Sequence, residues 1–144
     1  MNSLLPFALI ALAGPALTGP ALAQTTVTRS ETAPSGKSVR LVIAPNLKKD
    51  CSSGPLPEIK VVTAPKNGSL ITKAGKIRTP AKYRCPSKEA AVQAIFYQSN
   101  AGYTGEDAVG VEIKNADGEV EKRDIRITVE AAAKKPEKKD STDL

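Results

Sequence analysis

A period of two in the apolar residues restricts this chain more than any other feature. Ile125, Ile127 and Val129 alternate with Asp124, Arg126, Thr128 and Glu130. Val109, Val111 and Ile113 repeat the pattern, with Gly110 and Glu112 expected to face outward. Val39, Leu41 and Ile43 do so around Arg40, and Glu58-Ile59-Lys60-Val61 alternates as well. Successive side chains of a strand point to opposite faces, so this is the mark of half-buried β structure. Turn-forming residues separate the runs at Ala64-Pro65-Lys66-Asn67-Gly68, Lys73-Ala74-Gly75-Lys76 and Asn115-Ala116-Asp117-Gly118. Asn67-Gly68 and Asp117-Gly118 are dipeptides that close tight hairpins, because they tolerate the positive φ such turns need. No stretch has the spacing of a useful amphipathic helix; Lys88 to Gln93 has room for one turn. About seven strands with turn signals every 8–12 residues predict an all-β Greek-key sandwich.

Both ends of the chain differ from this body. Residues 1–23 carry no charge, and Pro6 to Ala13 form an apolar run. Ala21-Leu22-Ala23 gives the small-x-small pattern of a signal-peptidase site, with Gln24 as the new N-terminus. A membrane anchor needs about 20 unbroken apolar residues, and Pro15, Pro20, Gly14 and Gly19 interrupt that length. Residues 1–23 are therefore expected to be a cleaved signal peptide, leaving no membrane span and placing the protein in the periplasm or outside the cell. Residues 24–36 are polar and Thr-rich, suited to a flexible segment or an edge strand around Thr25 to Arg29. The domain is expected over 37–130. Residues 131–144 form a Lys-rich tail with no periodicity, expected to be disordered.

Export makes sense of the cysteines. Cys51 and Cys85 are the chain's two Cys, and in an oxidising compartment they are expected to form a disulfide. The chain-entropy model gives a loop of that length about 3.5–4 kcal/mol. Such a bond matters in a small chain with three Tyr, two Phe and no Trp to bury. A zinc site would want paired Cys at short spacing with His, and a redox site would want Cys-x-x-Cys.

The chain has no His, which removes Ser-His-Asp and Cys-His triads and imidazole bases together. Glu106 and Asp107 are adjacent, so on a strand they point to opposite faces and cannot flank one glycosidic bond. There is no Gly-rich phosphate loop. The expectation is a protein that is not an enzyme and carries no cofactor or metal.

From Val61 onward the chain resembles the bacterial cadherin-like or Ig-like modules of large surface proteins. Pro65-Lys66-Asn67-Gly68-Ser69, the aromatic run Ile95-Phe96-Tyr97 and Tyr103-Thr104-Gly105-Glu106-Asp107 carry the likeness, with Asp117-Gly118 and the final alternating strand. The resemblance covers residues 61–129 and implies a fold, not an activity. It implies that Tyr103, Gly105 and Asp107 form a corner in which Asp107 binds backbone amides and Tyr103 ties the turn down. Relatives in tandem arrays bind calcium at acidic linkers, and this single module has no such linker. Ala74 to Ala91, with Cys85, reads as an extra loop pinned to Cys51.

Charge is polarised. Residues 60–88 hold Lys60, Lys66, Lys73, Lys76, Arg78, Lys82, Arg84 and Lys88 and no acid, whereas residues 106–130 hold eight acids against four bases. The functional reading is an anion-binding loop of Lys73, Lys76, Arg78, Lys82 and Arg84 that takes envelope polysaccharide or lipopolysaccharide. The alternative is that basic and acidic strands pack side by side and neutralise each other. Nucleic acid is not expected, because Tyr83 is the lone aromatic of the basic segment and single-strand binders stack bases on several. The expected function is a non-catalytic binding or structural module of the bacterial envelope, with an envelope protein or an anionic glycan as partner. An anion-binding protein and a small inhibitor presenting the bridged loop are its rivals.

Overall fold

The computed structural model describes residues 24–132, together with Gly14 and Gly19. The rest of the expected signal segment 1–23, and residues 133–144 of the expected tail, lie outside the described residues. The chain forms β1 (Thr25–Pro34), β2 (Ser38–Pro45), β3 (Glu58–Thr63), β4 (Gly68–Arg78), β5 (Glu89–Ser99), β6 (Gly105–Lys114) and β7 (Val120–Glu130). They make a four-stranded sheet in the order β1-β7-β6-β3 and a three-stranded sheet in the order β2-β5-β4. β1 runs parallel to β7, and every other pairing is antiparallel. The chain changes sheet at β1–β2, β2–β3, β3–β4 and β5–β6, so this all-β sandwich is built on Greek-key crossings.

The alternating faces of β6 and β7 meet in the interior. Val109, Val111, Ile113, Ile125, Ile127 and Val129 pack against Leu41, Val42, Ile95 and Tyr97. Each fully buried aliphatic side chain contributes roughly 1.5–3 kcal/mol. β2 departs from its simple alternation because the register slips between Arg40 and Val42. That bulge turns Val42 inward and leaves Ile43, expected inside, only half-buried. Gly110, expected outside, is buried where the β3 bulge presses Thr63 and Val62 against it.

Two expected turns are not hairpins. Lys73-Ala74-Gly75-Lys76 lies within β4, whose pairing with β5 is unbroken from Gly68 to Arg78. The bridged loop therefore spans only 79–88, and β5 begins at Glu89 where a helical turn had room to form. Asn67-Gly68 joins strands of different sheets. Its glycine is required because a Cβ there would lie 2.6 Å from the Tyr97 ring and from the Gln98 carbonyl oxygen. By contrast Asn115 to Glu119 does close the β6–β7 hairpin, with Gly118 at φ +83° and Asn115 Oδ1 accepting the amides of Asp117 and Glu119. The N-terminal segment is an edge strand that runs on to Pro34, beyond the Arg29 expected.

β5 is apolar on both faces. With no register break in its pairing to β4, alternation sends Ala90, Val92 and Ala94 to the face opposite Ile95 and Tyr97. Ala90 packs there with Leu47 and Cys85, flanked by Tyr83 and Cys51. The 79–88 loop thus closes a second, smaller core outside the sandwich.

Candidate functional site

The expected site residues fall at opposite ends of the sandwich. At one end, the β2–β3 loop meets the β4–β5 loop. Asn46 continues the β2 ladder. Its amide donates to Ala91 O at 2.8 Å, its Oδ1 accepts from Ala91 N at 3.0 Å, and its Nδ2 reaches Gly54 O at 3.0 Å. The chain then turns tightly, with Cys51 N donating to Lys48 O at 2.9 Å and Cys51 in the left-handed region at φ +66°. Cys51 and Cys85 are disulfide-bonded, with their Cα atoms 5.5 Å apart.

Cations bind carbonyls around this bond. Arg84 donates to Leu47 O at 2.7 Å and Lys48 O at 2.8 Å, and its guanidinium lies 5.4 Å from the centre of the Tyr83 ring. Lys88 Nζ donates to Cys51 O at 2.9 Å. Thr79 Oγ1 donates to Cys85 O and accepts Lys88 N, which closes the loop on itself. Lys49 forms an ion pair with Glu119 and its amide donates to Asp117 Oδ2, so the β6–β7 hairpin joins this end. The pairing raises the Lys49 ammonium above its ordinary pKa and lowers the Glu119 carboxyl.

The five expected anion-binding residues do not form one loop cluster. Lys73, Lys76 and Arg78 lie on β4, a sheet edge, and only Lys82 and Arg84 lie on the loop. Lys73 sits 5.1 Å over the Phe96 ring. Lys76 and Arg78 share the opposite face by alternation. Arg84 is committed to the Leu47 and Lys48 carbonyls. The acidic strands β6 and β7, however, belong to the other sheet. The cross-strand partners of Lys73, Lys76 and Arg78 are Ala94, Ala91 and Glu89. Side-by-side neutralisation is instead a property of β3 and β6, where Lys60 faces Glu112 and Glu58 faces Lys114.

At the other end is the Tyr103–Asp107 corner. Tyr103 Oη donates to Glu106 O at 2.6 Å. Gly105 takes φ +131°, and a Cβ there would stand 3.0 Å from Tyr103 Oη. Asp107, only 8% exposed, accepts Lys66 N at 2.9 Å, Asn67 N at 3.0 Å and Ala108 N at 2.9 Å. Its remaining partner is Tyr97 Oη at 2.8 Å. Burial pushes the Asp107 carboxyl upward, but its four hydrogen bonds outweigh that and hold it below the ordinary carboxylate value. Burial, then the Asp107 bond and charge, push the Tyr97 phenol well above its ordinary value. Sequence reasoning missed Tyr97. Its only signal was an aromatic in the middle of an apolar run. A cleft of 380 Å³ opens beside this corner, with Lys66, Glu106 and Arg126 at its rim.

Among the described residues there is no group of three or more His, Cys, Asp or Glu side chains able to hold a metal ion. No described helix is long and apolar enough to cross a membrane. No family model matches the chain, and no curated protein is similar to it. Among solved structures the chain is similar to one titled "Solution Structure of Amebosin", at 10% identity and a TM-score of 0.45, over 75% of this chain and 99% of that one.

Proposed function

We propose that the chain is a non-catalytic, exported binding module of the bacterial cell envelope, of the Ig-like or cadherin-like type, acting in the periplasm or outside the cell. The strand order, the parallel β1–β7 pair and the Tyr103–Asp107 corner support the module type. The disulfide supports an oxidising compartment. A chain without His, whose buried carboxylate is saturated by four hydrogen bonds, offers little for catalysis.

A specific observation favours an anionic glycan as ligand. β4 is a sheet edge carrying Lys73, Lys76 and Arg78, and topology keeps it apart from the acidic β6 and β7. Lys82 adds an exposed cation on the adjoining loop. Arg84, spent on carbonyls, is not part of it. A polyanion wrapped over the β4 edge would meet Lys76 and Arg78 on one face and Lys73 on the other, and lose affinity as salt screens them.

Titration of the oxidised chain with a polyuronate and with lipopolysaccharide, at rising salt, tests this. Binding that weakens steeply with salt, and falls at least tenfold in a Lys73→Glu, Lys76→Glu, Arg78→Glu variant but not in Lys37→Glu, is the expected result. Binding unchanged by the triple reversal would overturn the β4 assignment. Capture from envelope extract of a hydrolase that reductant releases would favour the inhibitor reading of the bridged loop.

A further inference from the structure

We propose that β3 is a self-association edge, on which a second copy of this chain pairs antiparallel to join two four-stranded sheets into one. Among the described residues β3 ends its sheet, with β6 on one side and no strand on the other. The direction of its free hydrogen-bonding groups follows from the hairpin. Asn115 N bonds Glu119 O, so the odd-numbered residues of β6 bond β7 and its even-numbered residues bond β3. Glu58 and Lys60, opposite Lys114 and Glu112, are therefore the β3 residues bonded to β6. Ile59 and Val61 direct their N–H and C=O groups away from the sheet.

The side chains select a second copy. A two-fold axis at Ile59 sets Ile59 against its own copy. Glu58 then faces Lys60 of the other chain, and Lys60 faces its Glu58. Together with Lys114 and Glu112 of β6, each row across the four strands nearest the axis alternates in sign. The next registers do worse: an axis at Glu58 or Lys60 sets like charges against each other, at a cost.

The same axis also pairs apolar with apolar. It brings Leu56, exposed just before β3, towards the exposed Val62 of the other chain. Leu56, Val61 and Val62 are 41%, 40% and 42% exposed, and they are three of the five large apolar side chains left exposed among the described residues. Grouped exposure of this kind marks an interaction surface. An isologous contact needs such a self-complementary strip.

Other edges fit less well. β4 would bring its cations Lys73, Lys76 and Arg78 up to those of the other copy with no acid on the strand to offset them, the usual protection of an exposed edge. β2, although bulged like β3, carries none of the exposed large apolar side chains and ends in Pro45. β1 offers Arg29 and Glu31 but none of the exposed large apolar side chains. A single strand pair buries less than a standard interface of about 1,200–2,000 Å², so the dimer is weak and depends on concentration.

Sedimentation velocity of the oxidised protein, expressed from its complete sequence, tests the proposal across the micromolar range. The wild type should self-associate. Glu58→Lys and Lys60→Glu should each weaken association at least tenfold, because each places like charges in both rows. An equimolar mixture of the two variants should recover association. In the mixed pair one chain carries lysine at both positions and the other carries glutamate at both, so each row again sets a cation against an anion. Recovery also shows that both variants are folded, since a misfolded chain could not be rescued by its partner. Arg29→Glu on β1 should leave association unchanged. A wild type that stays monomeric, a Lys60→Glu variant that associates as tightly as wild type, or a mixture that fails to recover would each overturn the proposal.

Discussion

The two ends of the sandwich solve the same problem with opposite chemistry. Wherever the chain leaves one sheet for the other, backbone groups lose their ladder partners and need replacements. At the corner end one buried anion, Asp107, collects three amides and a phenol. At the bridged end cations collect carbonyls: Arg84 takes Leu47 O and Lys48 O, and Lys88 takes Cys51 O. A short carboxylate can be buried among its donors, whereas the long cations reach in from solvent. The covalent bond sits at the end held by solvent-exposed cations. Its closed loop, of sequence separation 34, ties that end to the second core under Cys85.

Breaking each end in turn sharpens the contrast. The largest effect is expected from Cys51→Ser with Cys85→Ser, which should lower unfolding free energy by about 3–4 kcal/mol through the unfolded chain's regained freedom. Urea unfolding checks it. Proteolysis should then cut first within 79–88, while the corner stays protected. Asp107→Ala should cost somewhat less, about 2–3 kcal/mol, because it leaves Tyr97 Oη and the Lys66 and Asn67 amides without their acceptor. A melt showing less than a small fraction of that loss would mean water replaces the carboxylate.

Acid separates the ends without mutation. The Asp107 carboxyl titrates below its unfolded value, so its stabilisation is complete above about pH 4 and is lost as pH falls through the lower folded value. At the bridged end acid loosens the exposed Lys49–Glu119 pair, whose carboxyl is also lowered, but leaves the Cys51–Cys85 bond intact. Stability measured from neutral pH downward should therefore decline below about pH 4 in wild type. The decline should be shallower in Asp107→Asn. The smallest effect belongs to Tyr97→Phe, expected to cost about 1 kcal/mol, since it removes one donor while Asp107 keeps its three amides. Equal losses from Tyr97→Phe and Asp107→Ala would show that the phenol, not the carboxylate, organises the corner.

Some of this was legible beforehand. Alternation on β7 predicted that Ile125, Ile127 and Val129 point inward, and they do. With two cysteines in the chain, one pairing was available, and it forms. Tyr103, Gly105 and Asp107 sit together at one corner. Other readings failed for identifiable reasons. Gly75 was read as part of a turn because glycine and lysine are frequent there, but an eleven-residue partner strand on β5 holds it extended. The basic residues were read as one loop because they are close in sequence. On a strand, neighbours point apart, so Lys73 and Lys76 occupy different faces.

By itself, the sequence determined which residues prefer extended backbone, where turns are permitted and which side chains of β6 and β7 seek the interior, because these follow from the local period of two and from φ preferences. Tertiary structure alone decided that Asn67-Gly68 crosses between sheets, that Tyr97 reaches Asp107, that β5 is buried on both faces, and that the basic edge β4 lies apart from the acidic strands. Each of those depends on which strands lie side by side, and strand pairing joins residues far apart in the chain whose partners no local pattern names.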